Sequence, residues 1–155
     1  MNLLILDAGH AKNTAGKNNA KENFYEWEFN NDMQYKIKSR CEELGIKVFL
    51  TNPNPSTVSD ISLTTRASLA NDFWLRNSKP KSIFISLHAN AFSSESARGT
   101  ETYIAKNAST TSKNFAKVSF DGDSDSKHQN NELCQMFSNN RMLSLLLLSL
   151  PSHLL

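Results

Sequence analysis

The chain is poor in the features that mark several common classes. Two cysteines, Cys41 and Cys134, cannot build a disulfide scaffold, and neither sits in a CxxC pair. Lysine and arginine outnumber aspartate and glutamate by only 17 to 15, a net charge of +2. That balance offers no basic stripe for a polynucleotide, so nucleic acid is not an expected partner. Long hydrophobic runs are also missing. The most apolar stretch, MLSLLLLSLP at 142–151, falls short of the ~20 residues a bilayer demands and is broken by Pro151, so no membrane span is expected. The amino terminus, MNLLILDAGH, lacks a basic leader. No secretory signal is expected there, which predicts a chain that stays in the cytoplasm until released.

What remains is an ordinary globular composition, 39% hydrophobic and 21% charged in 155 residues, enough for one hydrophobic core. Residues 2–6 (NLLIL) read as a buried strand ending at Asp7-Ala8-Gly9. The polar run 11–23 reads as a loop. From Glu26 to Leu44, the positions Phe29, Met33, Ile37, Cys41 and Leu44 recur with helical spacing, and Gly45 stands where a C-terminal cap belongs. Residues 46–50 form a second strand and residues 63–75 a second helix with Leu63, Ala67, Ala70 and Trp74 on one stripe. SIFISL at 82–87 is a third strand and GTETYIA at 99–105 a fourth. Alternation of strands and helices predicts an α/β fold, a mostly parallel twisted sheet flanked by helices in a single domain.

After Val118 this pattern decays. A polar run, SFDGDSDSKHQNN, leads into a segment crowded with leucine at 143, 145–148, 150, 154 and 155. The expected organisation is therefore an incomplete α/β domain over 1–118 and an atypical tail over 119–155. The expected explanation is a degenerate C-terminal third, arising from a frameshift or early stop, with a genuine short C-terminal helix as the alternative.

Two histidines occupy equivalent places. His10 follows the first strand and His88 the third. In a parallel sheet the carboxyl ends of the strands share one edge, where ligands bind. Glu26 opens the helix that follows the His10 loop and belongs to the same region. Two imidazoles and one carboxylate around an open position suit catalytic zinc, whereas a carboxylate-rich set would suit magnesium or calcium. Each residue also has a plain structural reading, and for Glu26 it is complementing the helix dipole.

The ordered motifs LILDAGH, FYEWEFN, LTTRASLAN, IFISLHANA and RGTETYIA resemble the zinc-dependent N-acetylmuramoyl-L-alanine amidases of type 3, cell-wall amidases and phage endolysins. The resemblance spans about residues 2–105. It implies that His10, Glu26 and His88 bind zinc, with Asn30 setting the register on Glu26 rather than Glu28. It also implies hydrolysis of the amide between N-acetylmuramic acid and L-alanine, with peptidoglycan as substrate. In this family a second glutamate, following a later apolar strand, acts as general base and then as proton donor. Here the sequence departs from the family. The only glutamate after Glu101 is Glu132, in NNELCQMFSNN, and its spacing to Phe137 and Asn139 is too long. Glu132 is the sole candidate base. The competing expectation is an inactive, zinc-binding remnant that only recognises cell-wall glycopeptide.

Weaker signals are structural. Asp121, Asp123, Asp125 and Glu132 echo a calcium loop, but Ser126 replaces its glycine, and an acidic solvated loop is the better reading. His128 and His153 fall in the tail. Arg66 is expected to form an ion pair or anchor a loop. Asp7 either bonds its own turn or orients a ligand histidine.

Overall fold

A computed structural model of the chain describes residues 3–19, 23–57, 59–78, 80–89, 99–105, 108–118, 127–128 and 143–150. In chain order the elements are β1 (Leu3–Ala8), β2 (Asn18–Asn19), β3 (Phe24–Tyr25), α1 (Glu26–Glu43), β4 (Lys47–Leu50) and α2 (Leu63–Arg76). They continue as β5 (Ser82–Ala89), β6 (Gly99–Ile104), α3 (Thr110–Val118), β7 (Lys127–His128) and β8 (Leu143–Leu150). The main sheet runs β4-β1-β5-β8-β6-β7, while β2, inside the stretch read as a loop, forms a small antiparallel pair with β3 just after it. Only β6 and β8 pair antiparallel in the main sheet.

Strand β1 is wholly buried because helices cover both of its faces. Successive side chains of a strand point to opposite sides. Leu3 and Ile5 accordingly pack with Ala67, Ala70 and Phe84, where Phe73 and Trp74 of α2 close over them. Leu4 and Leu6 pack on the other side with Ile83, joined by Ile37 and Cys41 of α1 and Phe115 of α3. This two-sided burial is why NLLIL is a continuous apolar run rather than an alternating one.

Helix α1 stops where the sequence predicts. Gly45 takes a left-handed φ of 73° and its amide donates to the Glu42 carbonyl. Its buried face, however, is rotated from the predicted stripe. Leu44 is exposed, whereas Asn30 and Gln34 are fully buried. The reason is that the first half of α1 lies over loop backbone rather than over the apolar sheet. Buried backbone carbonyls need donors, and these two amides supply them.

The leucine-rich segment also departs from expectation. Instead of forming a tail beyond a decayed fold, Leu143–Leu150 enters the sheet as β8, between β5 and β6. Its register aligns Ile83 with Leu143 and His88 with Leu148. A strand paired on both edges favours a mostly apolar sequence, and LSLLLLSL has six leucines with serines only at 144 and 149. The sheet thus includes, among the described residues, part of the leucine-rich segment. Among the described residues, no helix is long and apolar enough to cross a membrane.

Candidate functional site

The turn after β1 brings the first histidine into place. Asp7, the last inward residue of β1 on the α2 side, is fully buried and accepts three side-chain hydrogen bonds. Thr51 Oγ1 lies at 2.5 Å, Ser86 Oγ at 2.7 Å and Arg66 Nη1 at 2.9 Å. Arg66 is equally buried, so α2 is locked to the sheet by an ion pair, as the sequence predicts for this arginine. Beyond Asp7 the chain turns sharply, and His10 takes a left-handed φ of 65°, which is costly for a residue with a side chain. The surroundings hold it there. Asn52 Nδ2 donates to the carbonyls of Ala8 and His10, and Asn30 Nδ2 donates to that of Gly9. Gln34 in turn donates to the Asn52 carbonyl at 2.9 Å.

Glu26 is the first residue of α1 and His88 lies near the carboxyl end of β5, which pairs directly with β1. All three predicted ligands converge. The rings of His10 and His88 meet edge to face with centroids 4.9 Å apart. Glu26 Oε1 lies 3.0 Å from His88 Nδ1 and 3.6 Å from His10 Nε2, and it accepts the Ala89 amide at 3.1 Å. One donor atom from each residue fits within a span of 4.8 Å. Glu28 is exposed on the far side of the helix, so Glu26 rather than Glu28 faces the two histidines. Gly9 is required by this packing. A Cβ there would stand 2.2 Å from His88 Cε1.

Burial sets the charge state of the site. Desolvation pushes the His10 imidazole below the ordinary histidine range; Glu26 and Asp60 oppose the shift, and His88 and Lys17 reinforce it. Burial alone would raise Glu26. The His88 hydrogen bond, the nearby imidazole charges and the Ala89 amide outweigh it and hold the carboxyl below its usual value. Near neutrality the cluster therefore presents a carboxylate and an uncharged His10, the forms that bind metal ions.

Comparison with known proteins agrees with this geometry. The family model described as N-acetylmuramoyl-L-alanine amidase matches residues 4–146. The chain belongs to that family. As a member, it is an amidase acting on an amide of peptidoglycan, the class to which its similar solved structures belong. One is the catalytic domain of CwlV from Bacillus (Paenibacillus) polymyxa var. colistinus, 27% identical, with a TM-score of 0.73, covering 98% of this chain and 82% of that one. Another is the amidase of Clostridium difficile 630, 25% identical, with a TM-score of 0.73 and coverage of 94% and 77%. Ami1 of Mycobacterium smegmatis, 16% identical with a TM-score of 0.71 and coverage of 97% and 84%, shares the fold. A search of curated protein sequences gives no significant match.

Two further residues of this amidase bear on the site. Asp7 does not reach a histidine, because both of its oxygens are taken by Thr51, Arg66 and Ser86. Asp60, which the sequence reading passed over, has Oδ2 at 3.5 Å from His10 Nδ1. Its only sequence signal is a position just upstream of the helix cap Ser62. Glu132, His153 and the acidic positions Asp121, Asp123 and Asp125 lie outside the described residues. His128 is placed in β7, paired with Ile104 of β6.

Proposed function

We propose that this amidase holds one zinc ion on His10, Glu26 and His88 and hydrolyses the amide between N-acetylmuramic acid and L-alanine. The observation carrying the proposal is the convergence of three donor atoms, from three separate elements, within 4.8 Å. The donor chemistry fits zinc: two imidazoles and one carboxylate, with Gly9 leaving the space the His88 ring occupies. When bound, zinc polarises the amide carbonyl and lowers the pKa of the attacking water toward about 7. The chain's own residues do the rest. Asn30 and Asn52 hold the strained turn at His10, and the Ala89 amide fixes the Glu26 oxygen. Hydrolysis breaks the C–N bond, places the water oxygen on the carbonyl carbon and requires a proton on the departing amine. The proposed place of action is the cell wall, reached on release of the protein.

One observation favours a second reading, a zinc-loaded remnant that binds glycopeptide with little turnover. β8 contains only leucine and serine, and Leu148 is the register partner of His88. The apolar strand is thus in the sheet but brings no carboxylate to the level of His88. A positioned acid–base group is worth about 10²–10⁴ in rate. Glu132 is the candidate that the sequence offers to supply it. Zinc-loaded protein should be incubated with purified wall, and new L-alanine amino termini and new reducing sugar ends counted separately. Amino termini without reducing ends support the amidase reading; their loss in Glu132→Gln with zinc retained makes Glu132 the base. Release at background with glycopeptide binding intact supports the remnant.

A further inference from the structure

A metal-binding histidine needs its second ring nitrogen occupied. That hydrogen bond selects the tautomer, aims the ring and raises its basicity. His10 turns Nε2 toward Glu26, at 3.6 Å, and Nδ1 the opposite way. Nδ1 is buried and makes no hydrogen bond. The nearest carboxylate oxygen is Asp60 Oδ2 at 3.5 Å, beyond the 2.7–2.9 Å of a charge-assisted bond.

We infer that Asp60 is the positioning residue of His10, accepting the Nδ1 proton and so presenting Nε2 to the metal; this rests on the zinc reading proposed above. The carboxylate is well anchored for the task. Thr14 Oγ1 donates to Asp60 Oδ2 at 2.6 Å, and the same hydroxyl accepts the Ala11 amide at 3.0 Å. The turn leaving His10 and the loop entering α2 are thus fastened to one oxygen. Arg66 Nη2 lies 3.8 Å from Asp60 Oδ1, while its Nη1 holds Asp7. The outer edge of the imidazole is thereby tied to the buried ion pair beneath the sheet edge. A closure of less than an ångström completes the hydrogen bond. Asp7, the other carboxylate of the network, is committed to Thr51, Arg66 and Ser86.

Zinc affinity, measured by competition with a chromogenic chelator, tests this in wild type, His10→Ala, Asp60→Ala, Asp60→Asn and Thr14→Val. Removing a supporting carboxylate costs about ten- to a hundredfold in metal affinity. That loss is expected for Asp60→Ala, with Asp60→Asn between it and wild type, and Thr14→Val, which breaks only the loop anchor, closest to wild type. In the zinc-loaded wild type, nitrogen-15 spectra should show His10 protonated at Nδ1 with slow exchange, and Asp60→Ala should lose that protection. Unchanged affinity in Asp60→Ala, or an equal loss in Thr14→Val, would make Asp60 a loop anchor only and overturn the inference. If Asp60→Ala does not fold, Asp60→Asn decides, and unchanged affinity there overturns it as well. Full zinc binding by His10→Ala would instead remove the zinc site itself, and this inference with it.

Discussion

Replacing Gly9 by alanine isolates the geometry of the site from the stability of the fold. Gly9 does not carry the left-handed backbone of its neighbour His10, so alanine meets no backbone penalty there. What it meets is the His88 ring, with Cε1 at 2.2 Å, Nε2 at 2.5 Å and Nδ1 at 2.6 Å from the added methyl. Relieving the closest contact to the 3.4 Å at which ordinary packing begins demands a shift of about 1.2 Å. An imidazole at the end of its side chain can swing that far at small cost to the core. A metal site cannot follow it, since donor distances must stay within about 0.2 Å of their ideal values. Gly9→Ala is therefore expected to unfold within about 1 kcal/mol of wild type in urea, the usual range for a substitution without core damage. Its zinc affinity should nevertheless fall by more than the about hundredfold upper range of a lost supporting residue. Calorimetric or chelator-competition titration reads the second quantity directly. Zinc binding within a few-fold of wild type would refute the packing argument, and collapse of the fold would refute the claim that the ring alone yields.

Other consequences can be checked separately. Arg66→Ala leaves the buried Asp7 carboxylate without its partner, and breaking such a pair costs about 3–5 kcal/mol; a loss below about 1 kcal/mol in denaturant would contradict the buried role. In the metal-free protein, His10 has a lowered folded pKa, so the unfolded chain binds its proton first. Stability should begin to fall as pH drops below about 6.5. The lowered Glu26 adds a second loss below about 4.3; a flat profile from about pH 7 to 5 would argue against the first, and no further loss down to about pH 3 against the second. Asn30→Ala removes the amide that holds the Gly9 carbonyl and is expected to cost about 1–3 kcal/mol of stability together with zinc affinity. A stability loss with unaltered zinc affinity would separate the turn from the site.

Much of the site was legible from local pattern. A buried parallel strand writes itself as an apolar run, so NLLIL and SIFISL located β1 and β5, and His10 and His88 followed at their carboxyl ends. The start of α1 placed Glu26 because helical periodicity begins there. Three features depended on non-local structure instead. LSLLLLSL has no periodicity that separates a central strand from an apolar tail, and its partners β5 and β6 lie far back in the chain. Asn30 and Gln34 look like solvent-facing helix residues until the loop carbonyls of Gly9 and Asn52 are seen beneath them. Asp60 sits in an irregular loop whose path brings it to His10, which no spacing rule encodes.

The central claim is that His10, Glu26 and His88 form one metal centre, and zinc content measures it most directly. Elemental analysis of the purified chain, beside His10→Ala, Glu26→Ala and His88→Ala, should find one zinc per chain in wild type. Each variant should retain little, because a site of three protein donors does not survive the loss of one. Undiminished zinc in the two histidine variants would contradict the account.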